Sequence, residues 1–136
     1  MPEFFYDNKL YYTPIEFALN HIGGTWKMPI LWRLHKNVLR YGELKKDIPH
    51  ITDKMLASQL KELEGKGLIE RKVYPVVPSK VEYSITEKGM KAIPVIETIM
   101  NYGYELVKEA GIEFPLCCLL GLSCSKSHFL RDNPPA

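Results

Sequence analysis

Apolar residues between positions 52 and 85 change their spacing once, and the change defines the most informative stretch of the chain. Leu56, Leu60 and Leu63 recur at i, i+4 and i+7, the stripe of one helix face. Ile69–Tyr74 and Val81–Ile85 are instead short runs rich in β-branched and aromatic residues, the mark of strands. The spacing predicts a helix capped by Thr52, reaching Lys66 and stopped by Gly67, followed at once by a two-stranded hairpin. A short helix over Tyr41–Asp47, closed by Ile48-Pro49, precedes it. Val73, Val81, Tyr83 and Ile85 are expected on the inner face of the hairpin. Its tip, PVVPSK, carries two prolines that guard an exposed edge against pairing with other chains. Two helices across a tight turn, then a short hairpin, make a helix-turn-helix with a wing.

Upstream, Thr13 and Pro14 suit the N-cap and first position of a helix to about Ile22, with Ile15, Ala18, Leu19 and Ile22 on one stripe. Gly23-Gly24 ends it. A second helix is expected over roughly Thr25 to His35, with Trp26, Ile30, Leu31 and Leu34 inward and Lys27 and Arg33 outward. Pro29 must lie in or near its first turn, because deeper it would break the hydrogen-bond ladder. Downstream, Thr86 is expected to cap one long helix to about Ala110, with Ile93, Ile96, Ile99, Met100, Leu106 and Val107 on one side. Pro94 should kink that helix or restrict its first turns. The stripe is longer than a 136-residue monomer needs, which points to a partner helix. The candidate dimerisation residues are Ile15, Leu19 and Ile22 of the first helix and Ile96, Ile99, Met100 and Leu106 of the last. The predicted fold class is α+β and mainly helical: a winged helix-turn-helix with a two-stranded wing and flanking dimerisation helices. Residues 1–12 are aromatic-rich but aperiodic and read as an arm, 13–111 as the winged-helix domain with its dimerisation helices, and 112–136 as a Cys-containing tail.

At 136 residues, 46% hydrophobic and 25% charged, the chain is expected to be one globular domain with no separate ligand domain. Its net charge is only +2, so a nucleic-acid reading must rest on where the cations sit. The N-terminus carries no basic and then apolar export signal, and the longest apolar run, around Phe114–Leu122, is too short to span a bilayer. Three cysteines are an odd number, which argues against a secreted disulfide framework and for a reduced cytoplasmic setting. No Gly-rich phosphate loop or nucleophile elbow appears. His21, His35 and His50 have no carboxylate or Cys partner at a telling spacing, so neither an enzyme nor a cofactor is expected.

Projection at 100° per residue puts Lys54, Ser58 and Lys61 opposite the leucine stripe. With Thr52 and Met55 at the helix start, they form the candidate reading face for double-stranded DNA. In this docking mode the N-terminal residues of the second helix reach base edges in the major groove, and the helix start meets phosphate. Arg71, Lys72 and Lys80 place three cations on or beside the hairpin, where backbone or minor groove would lie. A plain solvated face is the competing reading of any one of these residues. Two other classes stay open: a winged-helix protein–protein module without DNA affinity, and a sensor acting through the tail. There, Cys117, Cys118, Cys124 and His128 are four soft ligands able in principle to hold zinc, although the adjacent Cys pair fits the usual paired spacing poorly. Buried or idle thiols are the favoured reading, with redox or electrophile sensing and metal binding as alternatives. Trp26, Trp32 and the tyrosines read as core rather than as an effector pocket.

The phrases LNHIGGTWKMPILWRL and YGELKKDIPHITDKMLASQLKELEGKGLIERKVYPVVPSKVEYSITEKG, with the following helix, resemble HxlR-type winged-helix transcriptional regulators. These are relatives of the MarR group. The resemblance covers roughly Pro14 to Val107. It rests on Gly-Gly-x-Trp, Met-Leu-x-x-Gln-Leu-x-x-Leu, Val-Tyr-Pro-x-Val-Pro and Val-Glu-Tyr-Ser-Ile-Thr in the family's order and spacing. It implies a homodimer built from the first and last helices, presenting two recognition helices and two wings to a pseudo-palindromic operator. A repressor in bacterial or archaeal gene regulation is the expected role, with room for an unidentified small-molecule or redox effector. Many members carry an oxidant- or electrophile-sensing cysteine just before the Pro of the first helix. Here Thr13 stands at that position, a departure from that kind of thiol switch.

Overall fold

The computed structural model describes residues 3–112 of the chain. Four helices begin where a side chain satisfies an amide that the first turn leaves without a partner. The Thr13 hydroxyl accepts the Glu16 N–H at 3.1 Å and opens α1 (Pro14–Ile22). The Glu43 carboxylate accepts the Arg40 N–H at 3.1 Å at the start of α3 (Tyr41–Asp47). Thr52 accepts the Met55 N–H at 3.1 Å and opens α4 (Asp53–Gly65); Thr86 accepts the Gly89 N–H at 3.1 Å and opens α5 (Glu87–Met90). Between α1 and α3 lies α2 (Lys27–Lys36), with Pro29 in its first turn as the hydrogen-bond ladder requires. α4 ends on Lys66, and Gly67 turns left-handed at φ +75°. The Gly67 N–H then reaches the Glu64 carbonyl and the Leu68 N–H the Leu63 carbonyl, each at 3.0 Å, satisfying acceptors that the helix end leaves open.

β4 (Ile69–Tyr74) and β5 (Lys80–Ile85) form the antiparallel wing, with Ile69 opposite Ile85 and Tyr74 opposite Lys80. A short β3 (Leu39–Arg40) pairs with the other edge of β5, giving the order β3-β5-β4. Only two residues long, β3 has no readable alternation. Ile30, Leu31 and Leu34 of α2, Leu44 of α3, Ile48 and Ile51 of the turn, the three α4 leucines, and Ile69 and Tyr83 of the sheet are all buried. The chain divides into two compact units after Ile96, and the helix-turn-helix and both sheets belong to the first. No described helix is long and apolar enough to cross a membrane.

Four expectations need correction. Residues expected as an aperiodic arm form a hairpin of β1 (Phe4–Tyr6) and β2 (Lys9–Tyr11), turned by Asp7 and Asn8 at φ +48° and +59°. Two consecutive left-handed residues make the tight turn that suits strand twist, and Asp and Asn tolerate that conformation. The hairpin packs on α1 through Phe17, whose ring meets Phe4, Tyr6 and Tyr11 edge-on at 5.0–5.3 Å. Second, the long helix expected from Thr86 is two helices, because α5 ends at Met90 and α6 starts afresh at Ile93 (Ile93–Glu109). Pro94, lacking an N–H, fits only a first turn, so the helix restarts there. Third, Val73 is 53% exposed rather than inward. It pairs with Val81 beyond the reach of β3, whose last partner is Glu82. Fourth, Lys27 and Arg33 do not simply face solvent, since both bond to neighbouring elements.

Gly89 holds α5 against the start of the wing. A Cβ built there would lie 2.2 Å from the Leu68 carbonyl oxygen and 2.6 Å from a carbon of Ile85. Removing a helical glycine ordinarily gains about 0.5–1 kcal/mol, but overpacking against backbone costs about 1–3 kcal/mol and wins here. Gly89→Ala is therefore expected to destabilise the protein. Gly42→Ala, where a Cβ meets nothing within 4 Å, should be neutral or slightly stabilising. Urea unfolding of the two variants against the parent checks the sign of each.

Candidate nucleic-acid interface

The leucine stripe fixes which side of α4 is left outside. With Leu56, Leu60 and Leu63 buried, Thr52, Lys54, Met55, Ser58 and Lys61 are all exposed, as the helical projection requires. The exposed start of α4 also presents the positive end of the helix dipole. Several bonds set its angle relative to α3. The Ile48 N–H meets the Leu44 carbonyl at 3.0 Å, the Ile51 N–H meets the Ile48 carbonyl at 3.3 Å, and the Lys45 ammonium donates to the Ile51 carbonyl. The Tyr41 phenol donates to the backbone carbonyl of Asp53 at 2.9 Å and to its carboxylate at 3.3 Å. Burial, and then the negative charge of Asp53, raise the Tyr41 pKa, so the phenol keeps the proton it donates. Sequence reasoning missed this clasp, because neither residue stands at a periodic position.

The other flank of α4 is tied to α2 by an ion pair, Lys27 Nζ to Glu62 at 2.7 Å, with the lysine side chain largely buried. The hydrogen bond from Lys27 lowers the Glu62 pKa. A depressed carboxylate pKa stabilises the fold above the ordinary carboxylate range, and that contribution is lost as pH falls through the lowered value. Arg33 reaches the Asp47 carbonyl at 3.5 Å, a weaker tie from α2 to the end of α3. The exposed face of α4 thus stands on an element braced on both sides.

On the wing, strand pairing places Arg40, Glu82 and Lys72 in one row across the sheet. Lys80 is where the sequence reading needs amending. Its ammonium lies 2.9 Å from the Glu82 carboxylate, and Tyr74 donates a second hydrogen bond to that carboxylate at 3.0 Å. Lys72 and Lys80 each sit 4.9 Å above the Tyr74 ring. The bond from Lys80, then that from Tyr74 and the charge of Arg40, hold Glu82 below the usual carboxylate range. Lys80 is accordingly partnered inside the wing, whereas Arg71 and Lys72 are exposed without an ion pair among the described residues. Arg40, brought into the row by β3, was not foreseen.

Glu82 is the one acidic side chain in this row. Glu82→Gln keeps an acceptor for Tyr74 while releasing Lys80. Affinity for any duplex is expected to rise, and the salt slope to steepen by about one unit per chain bound. Anisotropy titrations at several salt concentrations measure both; an unchanged slope would mean that Lys80 does not approach phosphate.

Of the residues expected in dimerisation, Ile15 and Leu19 of α1 are 66% and 53% exposed, and Ile99 and Leu106 of α6 are 44% and 46% exposed. Met100 is half-buried. Ile22 and Ile96 are instead buried within the chain's own core. Cys117, Cys118, Cys124 and His128 lie outside the described residues. Among the described residues, no group of three or more His, Cys, Asp or Glu could hold a metal ion. Trp26 tilts against His50 with ring centroids 4.9 Å apart, and Trp32 against His35 at 4.5 Å.

The family model described as HxlR-like helix-turn-helix matches residues 21–110, which takes in α2 to α6. The chain belongs to that family. A regulatory protein of Fusobacterium mortiferum named MalR is 52% identical over 96 residues, covering 70% of this chain and 91% of its own. The HTH-type transcriptional regulator YdzF of Bacillus subtilis is 47% identical over 91 residues, covering 66% and 84%. Among solved structures, the redox regulator HypR in its oxidized form superposes with a TM-score of 0.66 at 40% identity, covering 68% of this chain and 96% of its own. This HxlR-like protein is a transcriptional regulator with a DNA-binding winged helix-turn-helix, and its relatives are regulators rather than enzymes.

Proposed function

We propose that this HxlR-like regulator acts as a homodimeric repressor that reads a pseudo-palindromic operator. The observation that carries the reading is the exposed Lys54/Ser58/Lys61 face of α4 beside the exposed Arg71 and Lys72 of the wing. Thr52 and Met55 at the helix start complete the base-reading set, and Arg71 and Lys72 meet phosphate or minor groove. The dimer is supported by the apolar residues that α1 and α6 each leave exposed, Ile15, Leu19, Ile99 and Leu106, whose burial against a second copy would remove them from water. Repression is the expected outcome where the operator overlaps a promoter, because a seated dimer then excludes polymerase.

A dimer of about 31 kDa, twice the 15.7 kDa chain mass, is expected in light scattering at micromolar concentration. A monomer there overturns the dimer. Selection of genomic fragments by the purified protein should return half-sites about one helical turn apart, roughly 10 bp centre to centre. Transcription in vitro from a selected promoter should fall as protein is added; a rise makes the protein an activator.

A second reading, thiol-dependent control, draws support from the similarity to the redox regulator HypR. Because Thr13 stands where many family members carry a cysteine and caps α1 with its hydroxyl, such control falls to Cys117, Cys118 and Cys124. Operator affinity before and after oxidation by diamide tests it, and equal affinities would remove this reading.

A further inference from the structure

Three lysines from separate elements converge at the C-terminal end of α4. Lys9 of β2, Lys66 at the C-cap of α4 and Lys88 of α5 line a cavity of about 370 Å³, within the range of small-molecule sites. Asp7 is the one carboxylate in the lining, so three lysines stand against one aspartate. None of the three is paired to a carboxylate among the described residues. The Lys66 ammonium donates to the backbone carbonyl of Asn20 and to its side-chain oxygen, the latter at 3.2 Å. Lys88 donates to the Lys66 carbonyl at 3.0 Å, and Lys9 lies 5.0 Å over the Tyr11 ring. These oxygens and the ring orient the ammonium groups but leave their charge uncancelled. Burial, and then the charges of Lys27 and Lys9, push the Lys66 pKa down, while Glu62, which opposes this, is already bonded to Lys27.

Clustering like charges costs free energy unless something offsets it. Lys66 is roughly 20 Å along α4 from the helix start at Thr52. At about 100° per residue it is roughly 140° around the helix from Lys61, so its ammonium is directed away from the face proposed to meet DNA. We propose that the cavity binds one small organic dianion per chain, with Lys9, Lys66 and Lys88 as its charge partners. Such a ligand would link β2, the end of α4 and α5. The inference goes beyond the DNA reading and does not depend on it, since anion binding is measured on the protein alone.

The test is calorimetric titration of the full chain with succinate, a dicarboxylate, and with glycerol 3-phosphate, each at ionic strength matched with sodium chloride. Saturable binding of either at one per chain, with a raised Tm, is expected, and the arm that binds identifies carboxylate or phosphate as the recognised group. Lys9→Gln combined with Lys88→Gln should weaken that binding roughly tenfold, with an unchanged circular dichroism spectrum, because Lys66 still holds Asn20. The proposal is overturned if neither dianion saturates at matched ionic strength, or if the double variant binds as tightly as the parent. It is also overturned if the double variant loses as much DNA affinity as Lys72→Ala, which would make these lysines part of the DNA surface.

Discussion

Affinity for operator DNA is expected to fall about 10³–10⁵-fold between 50 and 200 mM salt, even though the net charge of the chain is only +2. Net charge sums over the whole surface, whereas counterion release counts only the phosphates that are met. Arg71 and Lys72 are exposed on the wing, and Arg40 adds a cation to the row across the sheet. Nearby acids are partly neutralised: Glu62 by Lys27 and Glu82 by Lys80. Two protomers, with the amides at the start of each α4, would thus neutralise roughly 6–10 phosphates, giving a slope near 0.9 per phosphate. Pairing with Glu82 takes Lys80 partly out of this count, so Lys72→Ala should shallow the slope more than Lys80→Ala. Anisotropy titrations across that salt range measure the slope. A nearly flat dependence would favour a protein–protein role for this winged helix.

The two faces of α4 should separate cleanly under substitution. Leu60 is fully buried, so Leu60→Ala removes its transfer free energy and leaves a cavity, an expected cost of about 2–5 kcal/mol. In a domain with a total stability of about 5–15 kcal/mol, that is enough to lower the unfolding midpoint severely. Variant molecules that remain folded should keep their preference for operator over random duplex, because the outward face is untouched. Ser58→Ala and Lys61→Ala are the converse. Both positions are exposed, so stability should move by no more than about 0.5 kcal/mol. Removing a side chain that reads a base should cost about 1–3 kcal/mol of discrimination at one operator position. Urea unfolding and competition binding on the same preparations give both numbers. If Ser58→Ala and Lys61→Ala leave the ratio of specific to non-specific affinity unchanged, α4 is not the reader.

The helix-turn-helix was legible because its signals are local. The Leu56/Leu60/Leu63 spacing, the Thr52 cap and the Gly67 stop each act within a few residues, and α4 lies between that cap and that stop. The same holds for α3 and for the two strands of the wing, whose β-branched runs are bounded by turn residues. Very short elements were not legible. β1, β2 and β3 span two or three residues each, too few for alternation to appear, although Asp7-Asn8 was a readable turn signal for the first pair. Pro94 announced an interruption, but not whether the helix would bend or stop. Charge pairing was beyond the sequence altogether. Lys27, Lys72 and Lys80 look alike along the chain, yet Lys27 braces α2 against α4, Lys80 is tied to Glu82, and Lys72 is exposed. The meeting of Lys9, Lys66 and Lys88 around one cavity joins positions up to 79 apart in sequence. Periodicity and capping are properties of neighbouring residues and are written into the chain. Which charges face one another depends on how the elements pack, and only the tertiary structure decides it.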